Sequence, residues 1–381
     1  MKTIRWFPFV LAGAITACGG GLTTDDYRAN ALTFDKVAIA QNDADTAAPA
    51  MQADSANPGA ELVDATTCHP HLFERTGEVI GRVNRHFFKL VRHIGDLIED
   101  NPKLSSGGSK TWENVKGGID RKLTVTATTN ADGSVTYDFE LDIKSTGDFV
   151  KVASGSLTHT GPAAADVTDA GAAVRVENKG SATFDFDALA SVVTTEKARG
   201  QISDAFDNVR DPAHGVKRSA NITLTNFLPE EGDAHGPRTG GYSWLREPGV
   251  GGMFSFQESV VLLCPSNPNN LAADVTTVAR WYKASDGGVH GRSDSKATGG
   301  QIASGSTWIG MTCAQGQTTA APAEGEWLMK DELSNGDSDQ FQVFTSGVSP
   351  CDPLFGAIPD QHDATNDYDF SKPVTFPGEW Q

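Results

Sequence analysis

Apolar side chains recur at three- and four-residue intervals through residues 70–99, PHLFERTGEVIGRVNRHFFKLVRHIGDLIE, at Leu72, Phe73, Val79, Ile80, Val83, Phe87, Leu90, Val91, Ile94, Leu97 and Ile98. Charged residues fill the gaps, a pattern that predicts an amphipathic helix. Pro70 suits its first turn, where the N–H has no intrahelical partner, and Pro102 stops it. At 1.5 Å per residue such a helix is about 45 Å long. Its stripe, with Val83, Phe87, Leu90 and Ile94 towards the middle, needs an extended apolar surface to cover it. Gly77 and Gly81 would let a neighbouring backbone come close.

After this segment the period changes to two. Leu123, Val125 and Ala127 alternate with polar residues, NADGS at Asn130–Ser134 turns the chain, and Val135, Tyr137, Phe139, Leu141 and Ile143 alternate on the return. This predicts a β-hairpin. Further strands are expected near 148–158, 173–186, 199–209, 218–227, 241–246, 252–263, 276–284, 306–314, 324–333 and 340–346, with a short helix within 187–197. In TFDFDAL the alternation puts Asp185 and Asp187 on one strand face and Phe184 and Phe186 on the other. The expected fold class is α+β, mainly β: one long amphipathic helix packed on a large curved antiparallel sheet or half-barrel. Residues 68–228 would hold the helix and the first part of the sheet, and 241–350 the second part. The turn-rich Pro229–Gly241 is either a loop on one sheet or a linker between subdomains. An Asp- and Pro-rich tail, 351–381, would wrap the surface.

The first residues, MKTIRWFPFVLAGAITAC, carry Lys2 and Arg5 before an apolar run from Trp6 to Ile15. That is the layout of a secretory leader, and the run is too short to span a bilayer as a stable helix. Ile15, Thr16, Ala17 and Cys18 resemble the lipobox of bacterial lipoproteins, in which an aliphatic and two small residues precede the acylated Cys. The resemblance covers about the first twenty residues. It implies removal of 1–17 and attachment of the chain to a membrane through lipid on Cys18. Each buried methylene contributes about 0.8 kcal/mol, so two or three acyl chains hold a protein lastingly where one does not. Gly19 in place of Asp implies the outer membrane, either face of which stays open. From 18 to 67 the composition, rich in Ala, Asp, Asn and Thr, reads as a flexible tether reaching roughly 35 to 40 Å. Within it, Leu32–Ile39 would at most pair with a sheet edge.

Charge and cysteines narrow the reading further. The formal net charge is −18, and removing the leader leaves 29 basic against 49 acidic residues. Such a surface repels nucleic acid. Besides Cys18 the chain has Cys68, Cys264, Cys313 and Cys351. An even number in an exported protein predicts two disulfides, with three pairings possible. Cys264 with Cys313 is preferred because both close apolar strands, and Cys68 would then fix the helix start to the tail. No CxxC pair or matching His spacing suggests a metal site.

Signatures of chemistry are few. Neither GxSxG nor HExxH occurs. Ser293–Lys296 matches SxxK, but within the Gly-rich GGVHGRSDSKATGG and without a following KTG. Gly107–Thr111 lacks the Gly that a phosphate loop places before its Lys, and the acidic Asp331–Asp339 reads as a polar hairpin loop rather than a calcium loop. The histidines, His86 and His93 among them, have no sequence-evident catalytic partner, and no cofactor is expected. Trp244, Trp281, Tyr282, Trp308 and Trp327 fall on predicted strands, where they fill a core or stack on a ligand. By helix-plus-sheet order alone, the chain looks like the half-barrel of bacterial lipoprotein carriers and related lipid-binding lipoproteins. That resemblance implies a cavity lined by Val83, Phe87, Leu90 and Ile94 and a hydrophobic small-molecule ligand. The rivals are a structural or interaction lipoprotein with a filled core, and a hydrolase whose catalytic residues are scattered in sequence.

Overall fold

The computed structural model describes residues 22–32, 34–37, 72–162, 175–211, 215–230, 236–247, 250–262, 272–283, 289–301, 304, 306–316, 323–333 and 340–344. In the strands beyond Gln301 only backbone pairing is described. Three helices come first: α1 (Thr24–Ala29), α2 (Phe34–Val37) and α3 (Leu72–Ile98). They are followed by β1 (Leu104–Ser106), β2 (Ser109–Lys116), β3 (Ile119–Thr129), β4 (Val135–Lys144), β5 (Val150–Thr160) and β6 (Val176–Asp185). A short helix α4 (Phe186–Val192) leads to β7 (Arg199–Asp211), β8 (Gly215–Leu228), β9 (Arg238–Glu247), β10 (Gly251–Leu262) and β11 (Ala272–Lys283). The last strands are β12 (Val289–Thr298), β13 (Ser306–Gly316), β14 (Ala323–Leu333) and β15 (Gln340–Phe344).

Every strand pairs antiparallel with its sequence neighbours, giving one 15-stranded meander from β1 to β15. The architecture is thus mainly β and open: among the described residues no pairing joins β1 to β15. Local turn chemistry sets this order. Gly107–Gly108 (φ 56° and 83°) and Gly117–Gly118 (φ 62° and 77°) close β1–β2 and β2–β3 as two-residue hairpins. Positive φ at both central residues matches the twist of the flanking strands, and glycine adopts it without strain. At the β3–β4 turn the Asp132 carboxylate accepts from the Ser134 backbone N–H (3.0 Å) and hydroxyl (2.7 Å). β8 pairs with β9, so the sheet continues across Pro229–Gly241.

Cross-strand partners put the same residues on one face throughout. Inward lie Leu123 and Val125 of β3, Tyr137, Phe139 and Leu141 of β4, Leu157 of β5, Phe184 of β6, Ile202 and Phe206 of β7, and Ile222 and Leu224 of β8, all buried. Outward lie residues such as Lys122, Thr124, Asp138, Glu140, Lys179, Thr183, Lys217 and Thr223. This is the reverse of a lipid-facing strand pattern.

α3 packs on the inward face. Val79, Ile80, Val83, Phe87, Val91, Ile94, Leu97 and Ile98 are buried, and the helix touches β2, β3 and β11–β13. The Phe87 ring lies 5.5 Å from that of Phe184, and the His86 ring sits 4.9 Å from Phe227 and 6.0 Å from Phe186. The Leu90 side chain lies outside the described residues.

The structure corrects three expectations. Within 18–67, expected to be a tether, α1 and α2 instead belong to the fold. Thr23 and Asp26 form a capping box for α1, and Tyr27, Ala31, Leu32 and Val37 join the same core as α3. Arg28 donates through Nε to the Ile98 carbonyl (2.8 Å) and through Nη2 to those of Glu99 (3.3 Å) and Asp100 (2.9 Å). A cation there satisfies the orphan carbonyls of α3 and complements its dipole. Second, Asp185 and Asp187 do not share a strand face: Asp185 is the N-cap of α4, accepting from Ala188 N–H at 2.8 Å, and Asp187 lies inside that helix. Third, β1, β2 and β12 are strands that the sequence pattern did not predict.

Candidate functional site

Alternation places three rows of side chains along the inward face between β7 and β12. In one, Asp204 lies opposite Ile222, Ile222 opposite Tyr242, Tyr242 opposite Phe256, Phe256 opposite Thr277, and Thr277 opposite Ser295. The adjacent row runs Phe206, Ala220, Trp244, Phe254, Ala279, Ser293, and the third runs Asn208, Arg218, Arg246, Gly252, Trp281. Tyr242, Phe254 and Phe256 form one aromatic cluster, with Tyr242 stacked on Phe254 at 6.1 Å and 15°. A Cβ at Gly252 would collide with the indole of Trp281, so glycine there gives the ring its place on the sheet.

Polar atoms on this apolar floor are left without partners. Among the described residues, both Asp204 carboxylate oxygens, the indole N–H groups of Trp244 and Trp281 and the Ser293 hydroxyl make no hydrogen bond. Yet Asp204, Trp244 and Trp281 are each only 2% exposed and Ser293 is fully buried. A buried polar group without a partner costs about 1–3 kcal/mol, and native proteins leave few. Burial alone holds the Asp204 carboxyl well above the usual carboxylate range, which favours its protonated, hydrogen-donating form. The Tyr242 hydroxyl points towards Glu258 without hydrogen-bond geometry; burial, then that negative charge, pushes its ionisation well above the ordinary phenol value. The three rows together thus present donors from Asp204, Trp244, Trp281 and Ser293 among stacked rings. That arrangement suits a largely apolar molecule carrying a few hydrogen-bond acceptors.

Two other polar clusters are held by ion pairs and hydrogen bonds. Glu258 accepts from Arg82 of α3 (2.6 Å) and from Arg238 of β9 (2.9 Å). At the far end of α3, Arg121 donates to His93 Nδ1 (3.0 Å) and to Asn114 Oδ1 (2.9 and 2.7 Å), while Lys116 pairs with Asp96 (2.6 Å). Burial first, and then the Arg121 guanidinium, holds His93 below its ordinary value, consistent with a neutral ring accepting that bond. His86 is held between the carbonyls of Arg82 (2.8 Å) and Pro229 (3.3 Å).

The sequence-predicted residues separate cleanly. Val83, Phe87 and Ile94 are buried on the inward side of α3, and Trp244 and Trp281 reach the candidate rows. The side chains of Tyr282, Trp308 and Trp327 lie outside the described residues, as do Cys18, Cys68, Cys264 and Cys351; Cys313 stands on β13 opposite Arg292, its side chain likewise undescribed. Ser293 and Lys296 of the SxxK match are three residues apart on β12, hence on opposite faces, so the nucleophile geometry is not made. Among the described residues no group of three His, Cys, Asp or Glu side chains is placed to hold a metal ion. The principal residue that sequence reading missed is Asp204. Its signal was an acidic residue in the inward phase of β7, between Ile202 and Phe206. No protein family, curated protein or solved structure matches this chain.

Proposed function

We propose that this chain is an exported envelope protein, held to a membrane by lipid on Cys18, that binds a hydrophobic or lipid-like molecule between its sheet and α3. The observation that carries the binding reading is the group of unpartnered polar atoms at Asp204, Trp244, Trp281 and Ser293 across three adjacent rows, set among the Tyr242, Phe254 and Phe256 rings. From β7 to β12 the rows span about 24 Å, the scale of an extended acyl chain or a flat polycyclic molecule. A curved sheet clasping the helix fits the dimensions. β2 to β13 is eleven strand steps, about 53 Å, whereas a 27-residue helix is about 40 Å long, yet α3 touches strands at both ends of that span. The anchor rests on the lipobox resemblance at Ile15–Cys18.

A filled-core scaffold is the second reading, favoured by the ring-to-ring packing of Phe87 with Phe184 and of Phe186 with Phe227. Native mass spectrometry of the full-length protein extracted from its membrane separates the two. Ligand binding gives a discrete lipid-like adduct that Asp204→Leu and Trp244→Ala weaken. A bare protein mass in gentle detergent supports the scaffold. Equal membrane partitioning of wild type and Cys18→Ala would rule out the anchor.

A further inference from the structure

We infer that the outward face of the β1–β2 edge rests on the bilayer that holds Cys18; the inference depends on the lipid-anchor reading. Leu104 and Val115 are the large apolar side chains that stand most exposed among the described residues, 65% and 67%. Both lie on this face, since Leu104 is opposite Thr111 and Val115 is four residues further along the same strand. The neighbouring Lys116 points to the other face, where it pairs with Asp96 of α3 (2.6 Å). Glu113 lies between Thr111 and Val115 on the same face, opposite Lys122, which pairs with Asp142 (2.7 Å), and Asp120 opposite Val115 pairs with Lys144 (3.3 Å).

The chain path brings this edge to the membrane. α1 begins beside it: Lys110 of β2 donates to the Thr24 hydroxyl (3.2 Å), and the Tyr27 hydroxyl donates to the Gly108 carbonyl in the β1–β2 turn. Cys18 precedes Thr24 by six residues, which extend over about 20 Å at most. A folded body tied so closely cannot stand off by the reach of a 50-residue coil. The apolar pair then meets the headgroup layer.

The test uses full-length lipidated protein in vesicles of phosphatidylethanolamine and phosphatidylglycerol. Bimane is attached to Leu104→Cys, Val115→Cys or, as an exposed outward position on β8, Thr223→Cys, and the unsubstituted protein labelled in parallel gives the background of the native cysteines. Nitroxide-bearing lipids should quench the labels at 104 and 115 at least about threefold more than the label at 223. Inserting twenty Gly/Ser residues after Gly20 should abolish that difference while the protein still floats with the vesicles. Equal quenching at all three positions in floating protein overturns the docking and leaves the anchor intact. Failure of the unsubstituted protein to float overturns both.

Discussion

Arg82 of α3 and Glu258 of β10 meet at 2.6 Å, and Arg238 of β9 approaches the same carboxylate oxygen at 2.9 Å. Glu258 is only 2% exposed while Arg82 keeps a quarter of its side chain in water. Attraction between such groups is offset by the cost of drying them, so the cluster fixes where the helix sits more than it adds net stability.

Removing one partner is a different matter. Glu258→Ala leaves Arg238 buried without its carboxylate and is expected to cost about 3–5 kcal/mol in urea unfolding. Arg82→Ala should cost less, because Glu258 keeps Arg238 and water can reach the vacated side. Equal losses would show that the buried carboxylate is not the centre of the cluster.

Phe87 is 1% exposed and packed on Phe184, whereas Arg85, on the same turn, is exposed. Phe87→Asp deletes a large buried ring and places a charge in an apolar site, a loss of more than about 4 kcal/mol. Arg85→Asp should stay within about 0.5 kcal/mol. Paired thermal melts check the contrast, and similar small shifts would mean that α3 is not covered by the sheet.

Tyr27 distinguishes an integral N-terminal segment from a tether. It is 2% exposed, with its ring 5.6 Å from Tyr137 and 6.3 Å from Trp112. Tyr27→Ala is expected to cost about 3 kcal/mol in denaturant unfolding, where a residue of a flexible tether would cost nothing measurable.

What was legible in the sequence follows how much side-chain contrast each element carries. β3 and β4 alternate large apolar with polar residues and are joined by a turn whose Asp132 and Ser134 bond each other, so they could be read directly. β12 turns Gly291, Ser293, Ser295 and Ala297 inward, and small residues beneath neighbouring rings leave no hydrophobic alternation to see. β1 and β2 did carry a signal in Gly107–Gly108 and Gly117–Gly118, paired hairpin turns either side of a strand-length segment, which the resemblance to a failed phosphate loop obscured. Across α1, α2 and the turn between them the large apolar positions Tyr27, Leu32 and Val37 are too sparse for a helical period, and only the Thr23–Asp26 capping box marked the start of α1. Asp204 was visible as an acid in an apolar phase. What it faces depends on strands far away in sequence, which no local pattern encodes.

That same carboxyl makes the most direct prediction about the candidate site. Its folded-state ionisation is raised by burial, so between its unfolded value near 4 and its raised folded value the native state holds a proton that the unfolded chain has released. Stability from this group is therefore fully present below about pH 4 and falls as pH rises, by about 1.4 kcal/mol per unit until the folded value is reached. Asp204→Leu removes the titration and the unpartnered oxygens together. Urea unfolding at a series of pH values from 4 upward should show the variant gaining on the wild type as pH rises. If both stability curves run parallel, the carboxyl is partnered or wet, and the case for a ligand over that row loses its main residue. A variant that is more stable yet no longer carries a lipid-like adduct would identify Asp204 as a group kept for binding at a cost in stability.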